Sequence, residues 1–327
     1  MRDSISSWQT SLAQGFASAK ELLEYLQLPE TLANQGAELQ FKTRVPRGFA
    51  SLMEKRNRHD PLLLQVLPIL EELSDKQDYV LDPLAETQFN PMPGLIHKYY
   101  GRILLTLTGA CAINCRYCFR RHFPYEDNNP GSSGWTPVLQ YIQNNPSITE
   151  VILSGGDPLM AKDTLLQSFL ERLSTIPHIQ TLRIHSRIPI VLPERIDESF
   201  QSLFASLPWH KVMVMHSNHP RELDERVAKA CQRLKTSGFF LFNQSVLLKG
   251  VNNHAESLVQ LSRRLFAIGV LPYYLHMLDK VQGASHFAVD ENEVKRLYQQ
   301  LQSSLPGYLV PKLAREEAGM AHKTLLV

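Results

Sequence analysis

The run Ile103-Leu-Leu-Thr-Leu-Thr-Gly-Ala-Cys111-Ala-Ile-Asn-Cys115-Arg-Tyr-Cys118-Phe-Arg-Arg121 joins an apolar, threonine-rich segment to three cysteines spaced C-x3-C-x2-C. The first half reads as a strand, and the cysteines fall on the loop that leaves it. Sulfurs at this spacing can fold back onto one small inorganic core. A complete iron–sulfur cluster takes four protein thiolates. Three leave one iron without a protein ligand, and a coordination position kept open is one a substrate can fill. A zinc site completed from elsewhere, or three unrelated buried thiols, are the plain alternatives, although zinc sites more often present C-x2-C pairs or mixed Cys/His sets. Tyr117, beside the last cysteine, would shield a cluster from solvent. The remaining thiol, Cys231, shares a helical face with Leu223, Val227 and Leu234, so it reads as a core residue and not as a fourth ligand.

Outward from this run, short apolar segments alternate with longer amphipathic ones. Strands are expected at Ile103–Thr108, Val151–Ser154, Thr181–His185, Lys211–His216, Phe239–Asn243 and Val270–Leu275, with helical stretches near 136–145, 162–176, 194–206, 220–237 and 254–268. Such alternation implies a parallel sheet of βα units, an α/β fold. Six units make a partial (β/α)6 barrel of TIM-like type, in which chemistry gathers on the loops after the strands. Polar residues do follow the apolar runs: the cysteines, Gly155-Gly-Asp157, Ser186-Arg187, His216, Gln244 and His276. Residues 1–95 read as an N-terminal helical accessory region, 96–290 as the barrel, and 291–327 as a C-terminal segment. The breaker-rich stretch Asp82-Pro-Leu to Asn90-Pro-Met-Pro-Gly94 reads as a linker.

The 327-residue length suits one barrel with an appendage, and 43% hydrophobic with 20% charged residues is a globular composition. A formal charge of +2 gives no general reason for a nucleic-acid or membrane partner. Three of the four cysteines lie within eight residues, which is not a secreted disulfide framework; crowded thiols need a reducing compartment, so the cytoplasm is expected. Met1-Arg-Asp-Ser-Ile-Ser-Ser-Trp8 holds no signal-peptide core. No stretch approaches the ~20 apolar residues of a membrane span.

The cysteine loop resembles the signature of the radical S-adenosylmethionine (radical SAM) superfamily, and its continuation Tyr117-Cys-Phe-Arg-Arg121 resembles the lysine 2,3-aminomutase family. The resemblance covers nearly the whole chain. It is greatest to the branch that supplies β-lysine for modifying elongation factor P, through Arg44-Val-Pro-Arg-Gly-Phe49, Cys118-Phe-Arg-Arg-His-Phe-Pro-Tyr125, Gly155-Gly-Asp-Pro-Leu159, Asn243-Gln-Ser-Val-Leu-Leu248 and Val310-Pro-Lys-Leu-Ala-Arg-Glu316.

This resemblance implies a [4Fe–4S] cluster on Cys111, Cys115 and Cys118, with S-adenosylmethionine chelated at the open iron and cleaved to a 5′-deoxyadenosyl radical. Gly155, Gly156, Asp157 and Gln244 match cofactor-contacting positions. Pyridoxal 5′-phosphate needs a Schiff-base lysine; the residues alone do not choose among Lys249, Lys280, Lys312 and Lys323, and the resemblance selects Lys323. The free-lysine enzymes of the family carry a glycine-rich run before that lysine, whereas here it is Ala318-Gly-Met-Ala-His322, a bulkier wall. Arg102 matches a phosphate-contacting arginine, Lys98 stands where a second one is usual, Tyr99 matches a ring contact and His276 holds the other such position. Arg120 matches a carboxylate clamp, while Asp279 and Glu316 match the acids that hold a distal ammonium, the latter where aspartate is usual.

The implied reaction is the isomerisation of L-lysine to β-lysine, with an external electron donor and a functional link to elongation factor P and its lysyl ligase. The oligomeric state is open. The near rival is the same chemistry on another amino acid. A non-catalytic iron–sulfur or zinc protein is the rival from a different class, and it would leave Lys323, Arg102 and Arg120 idle.

Overall fold

In the computed structural model, residues 7–128 and 135–326 are described. The stretch Met1–Ser6, part of the segment read for a signal peptide, and Val327 lie outside the described residues. Short helices come first: α1 (Trp8–Ala13), α2 (Ala19–Tyr25), α3 (Gln35–Gln40), α4 (Arg47–Ala50) and α5 (Pro61–Leu64). Most begin on a side-chain cap. Ser7, Ser18, Asn34 and Asp60 each accept from a backbone N–H of the first turn, which satisfies donors the helix leaves free.

The sheet has nine strands in chain order: β1 (Leu95–Tyr99), β2 (Arg102–Thr108), β3 (Glu150–Gly155), β4 (Thr181–Ser186), β5 (His210–His216), β6 (Phe239–Val246), β7 (Leu271–His276), β8 (Lys312–Arg315) and β9 (Thr324–Leu325). Strands β2 to β8 run parallel, while β1 and β9 are antiparallel edges, so the sheet does not close on itself. Crossovers are supplied by α6 (Trp135–Gln143), α7 (Asp163–Leu173), the short α8 (Ile188–Val191) with α9 (Glu198–Ala205), α10 (Glu225–Thr236), α11 (Ala255–Ala267) and α12 (Glu291–Ser304). This is a partial, TIM-like barrel of βα units.

All six expected strands are present as β2 to β7. The expected stretches 194–206 and 220–237 start late, because Asp197 and Asp224 cap α9 and α10 and single 3-10 turns precede them. Strands β1, β8 and β9 go beyond the six units expected. β8 has four residues and follows Pro311, and β9 has two, so neither carries an apolar run long enough to recognise.

Alternation divides the strands into two faces. Leu182 and Ile184 of β4, with Met213 and Met215 of β5 and Leu241 of β6, pack against the helices in one continuous core. Leu22, Leu23 and Leu26 of α2 and Leu62 and Leu63 of α5 belong to that same core. Arg183 and His185 alternate to the concave face, where polar residues collect towards the strand ends. The segment expected as a linker is packed down: Glu86 within it is buried, and Val80 just ahead of it bridges to Val281. Prolines there shape a fixed strap rather than a free hinge.

Candidate active site

The cysteine loop leaves the end of β2 and is tied to the N-terminal region by backbone atoms. Asn114 donates from its main chain to the Arg44 carbonyl over 3.0 Å, Arg116 to that of Gln65 over 2.9 Å, and the Arg44 side chain to the Cys111 carbonyl over 2.9 Å. The arginines of this stretch have separate tasks. Arg116 and Arg121 both pair with buried Glu72, at 2.5 Å and 2.8 Å, and anchor the loop. Arg120 turns instead to buried Glu86, with Nε and Nη2 on its two oxygens at 2.7 Å and 2.6 Å, and Nη1 donates to Ser154 Oγ at 3.1 Å. The accessory region therefore positions the loop, a role its sequence did not disclose.

Cys111, Cys115 and Cys118 are free thiols, half-buried. Burial pushes the Cys111 thiol up and that of Cys118 to about 11, and charge on neighbouring cysteines adds to both. Ionising one thus opposes ionising the next, as like charges close together do. Arg187 donates to Cys115 Sγ over 2.7 Å and to the Tyr117 hydroxyl over 2.7 Å. Three free thiols on one loop with a buried cation beside them suit an anionic iron–sulfur cluster, whose ligands must be thiolates. Among the described residues, no three or more His, Cys, Asp or Glu side chains gather as a lone metal ion needs. Cys231 sits on α10 in the helix-side core, 4.0 Å from Met215 sulfur, as its helical face implied.

Gly155 and Gly156 are required by the chain itself. A Cβ on Gly156 would lie 2.6 Å from the Ala110 carbonyl oxygen, and Gly155 has φ +110°. The end of β3 is thereby pressed against the backbone leading to Cys111, with Asp157 N donating to Ala110 O over 2.8 Å. The Asp157 side chain is committed to structure: it accepts from Ser186 Oγ and from the main-chain N–H groups of Leu159, Arg187 and Ile188. Burial still lifts it to about 6. The structure thus makes the Gly-Gly-Asp turn a rigid neighbour of the cysteine loop.

The concave wall carries histidines towards the ends of β4, β5 and β7, with Gln244 of β6 between them. The rings of His185 and His216 meet edge to face at 5.9 Å, and Gln244 Nε2 lies 2.9 Å from His216 Nε2. Burial, with nearby cations adding, lowers His216 and His276 to about 3 and His185 well below its usual value. Shifts in this direction favour the neutral ring, so the wall is polar without adding charge.

The open seam of the barrel is spanned by side chains. Glu316, just beyond β8, accepts from Lys98 at 3.4 Å and from the Tyr99 hydroxyl at 2.9 Å, both on β1, and forms a short ion pair with Lys323. The β8–β9 pairing, Ala314 with Leu325 and Arg315 with Thr324, sets Lys323 there. Its ammonium lies 5.8 Å from the Tyr274 ring centre, and the Arg102 guanidinium stacks on Tyr99 at 4.7 Å. Lys98, Arg102 and Lys323 together fit a phosphorylated aldehyde: two cations for the phosphate and an amine for the carbonyl. Burial opposes ionisation of Glu316, but the Lys323 ammonium outweighs it and holds the carboxyl down to about 2. Asp279 goes the other way, raised to about 7 by burial and then by the charge of Glu316.

All the expected site residues lie at the strand ends or on the loops that follow them, except the β1–β2 edge residues and Lys323 on the C-terminal hairpin. Three residues escaped the sequence reading as site components. Arg187 followed an apolar run but carried no assigned role, Ser154 was counted only as strand, and Glu86 lay in the supposed linker.

The chain is 48% identical over 322 residues to an L-lysine 2,3-aminomutase of Escherichia coli, covering 98% of this chain and 94% of that one. It is 49% identical over 321 residues to the L-lysine 2,3-aminomutase of Haemophilus influenzae (98% and 95%) and 32% identical over 322 residues to that of Clostridium subterminale (98% and 77%). No protein-family model matches the chain. Among solved structures, a radical SAM methyltransferase from Sphaerobacter thermophilus is similar at a TM-score of 0.47 and 15% identity over 68% of each chain, too distant to bear on the chemistry. Near-complete mutual coverage at almost half identity shows that the chain belongs to the L-lysine 2,3-aminomutase family of isomerases.

Proposed function

We propose that this chain converts L-lysine to β-lysine, with a [4Fe–4S] cluster on Cys111, Cys115 and Cys118, S-adenosylmethionine at the open iron, and pyridoxal 5′-phosphate on Lys323. The observation that carries the reading is the meeting of Lys98, Tyr99 and Lys323 at Glu316 across the open seam of the barrel, with Arg120 leaving the cysteine loop to face Glu86. When bound, the cluster and S-adenosylmethionine supply a hydrogen-abstracting carbon radical, and pyridoxal phosphate supplies the carbon that carries the migrating nitrogen.

The chain's own residues bind and orient. Arg120 takes the substrate carboxylate, and Asp279 with Glu316 takes the far ammonium, which fixes both ends of an extended diamino acid. Glu316 ion-pairs with Lys323 in the free protein, so substrate entry exchanges one ammonium for another on the same carboxylate. Lys98 and Arg102 hold the phosphate, with Tyr99 against the cofactor ring and His276 opposite. Gly155, Gly156 and Gln244 border the S-adenosylmethionine site, where Asp157 acts through the turn it fixes. The neutral histidines and the buried strap keep water from reactive intermediates.

The finer assignments rest on the motif resemblance: that the β-lysine serves elongation factor P through its lysyl ligase, that an external donor reduces the cluster, and that the three regions 1–95, 96–290 and 291–327 act as accessory region, barrel and cofactor-bearing segment. Work in the reducing cytoplasm accords with free thiols at all four cysteines, and no described helix is long and apolar enough to cross a membrane. The test is anaerobic reconstitution with reductant, both organic cofactors and L-lysine, following β-lysine and 5′-deoxyadenosine. Formation of both, abolished by Lys323→Ala, is expected; four irons per chain with neither product would overturn the reading.

A further inference from the structure

From the buried contact of Glu86 with Arg120, we infer that Glu86 is a positioning residue of the substrate-carboxylate subsite, holding one edge of the Arg120 guanidinium so that its remaining donors receive the substrate. This rests on the reading of Arg120 as the carboxylate holder. A guanidinium has five N–H bonds. Nε and one N–H of Nη2 are taken by the two Glu86 oxygens at 2.7 Å and 2.6 Å, and one N–H of Nη1 by Ser154 Oγ at 3.1 Å. One N–H is left on each terminal nitrogen, enough for a second carboxylate. The arginine then bridges two carboxylates: one built into the chain, one brought by the substrate.

The alternative is that Glu86 occupies the substrate's place and must leave. Both side chains are buried, with 7% of each residue exposed. Eviction would strand an ionised carboxylate without a partner, whereas binding at the free donors keeps every charge paired. The strap is also fixed independently. Asp82 accepts from Glu86 N at 3.1 Å and from the Thr87 hydroxyl at 3.0 Å. Val80 N donates to the Lys280 carbonyl over 2.9 Å, and Gln282 N to the Val80 carbonyl over 3.0 Å. One strap is therefore laced to the segment bearing Asp279 and bonded to Arg120, which relates the two ends of the substrate site.

The experiment is calorimetric titration of the cofactor-loaded, unreduced holoenzyme with L-lysine and with 1,5-diaminopentane, the same chain without a carboxylate. Glu86→Gln is expected to weaken L-lysine about 10- to 100-fold, the range for a hydrogen bond to a charged group, and to leave the diamine unchanged. In turnover the loss appears in KM more than in kcat. Glu86→Asp, which keeps the charge and loses one methylene, recovers part of it, and carries the same test if Glu86→Gln does not fold. Tighter binding of L-lysine by Glu86→Gln would make Glu86 a competitor, unchanged binding would remove it from the subsite, and equal loss for both ligands would make it merely structural; each overturns the inference. Failure of the underlying reading looks different: wild type would not distinguish the two ligands, or Arg120→Met would preserve the distinction.

Discussion

Arg187 donates a hydrogen bond to the sulfur of Cys115 over 2.7 Å, although the two residues leave different strands. The guanidinium is buried and also reaches Gln65 at 2.7 Å and Glu222 at 3.5 Å, so its position is set from several sides. A donor and a positive charge beside a ligating thiolate stabilise the more negative, reduced form of a cluster. Arg187→Met should lower the cluster's reduction potential by on the order of 100 mV, from the usual strength of a charged hydrogen bond. Redox titration followed by electron paramagnetic resonance reads the shift. An unchanged potential in a fully loaded variant would dissociate Arg187 from the cluster.

The approach of Gly156 to the cysteine loop is steric and gives a prediction about loading. A methyl group would meet the Ala110 carbonyl oxygen at 2.6 Å and the Gly109 carbonyl carbon at 2.6 Å, and both are backbone atoms that cannot rotate away. Gly156→Ala should displace the loop, cost about 1–3 kcal/mol in overpacking, and lower the iron bound per chain after reconstitution. Gly307→Ala is the control, since nothing lies within 4 Å of its added carbon. Equal iron content in both variants would mean the loop tolerates the shift.

How much of this was legible in the sequence depends on what each residue advertises. Strands β2 to β7 are apolar runs bounded by turns, so they could be located, whereas β8 and β9 are too short to carry a pattern and are held by their neighbours. The cysteines and Lys323 belong to motifs. The motif sets Arg120 apart from Arg116 and Arg121, and the fold adds which acid each one meets: Glu72 for the two anchors, Glu86 for Arg120. The Asp82–Gly94 segment shows prolines and acids that suit a linker; nothing local tells that Glu86 meets an arginine 34 residues away. Pairings between distant segments are properties of the topology, and composition does not encode them.

Asp279 and Glu316 titrate apart, which fixes a pH dependence. Asp279 is raised to about 7 by burial and by the Glu316 charge. Its folded value lies above the usual unfolded one near ~3.9, so its contribution to stability is full below pH ~4 and is lost as pH rises through about 7. Asp279→Asn should therefore leave the cofactor-free protein equally stable near pH 4 and make it more stable than wild type above pH 7, by about 1–2 kcal/mol once solvent screening is allowed for. Thermal unfolding at a series of pH values measures this. The same titration predicts that L-lysine binding by the wild-type holoenzyme strengthens as pH rises through 7, because the ε-ammonium needs the ionised acid. A stability difference independent of pH would show that Asp279 is already charged throughout.

Glu72 of the N-terminal region holds two arginines of the cysteine loop at once. Its two oxygens receive Arg116 Nε at 2.8 Å, Arg116 Nη2 at 2.5 Å and Arg121 Nη2 at 2.8 Å, and the side chains are almost wholly excluded from solvent. Removing the shared anion leaves two buried guanidiniums facing each other with only carbonyl partners, those of Phe41, Ala37, Gly283 and Arg116 itself. Breaking a buried pair in this way costs about 3–5 kcal/mol, far more than a surface pair would. Glu72→Gln keeps the shape and two possible bonds but not the charge, so it should fall at the lower end of that range, and Glu72→Ala at the upper. Because both arginines flank Cys118 in sequence, the loss should be felt in the loop as well as globally. Urea unfolding gives the first, and iron uptake at a temperature where both variants stay folded gives the second. A stable Glu72→Ala variant that loads iron normally would show that the accessory region is not what holds the cysteine loop in place.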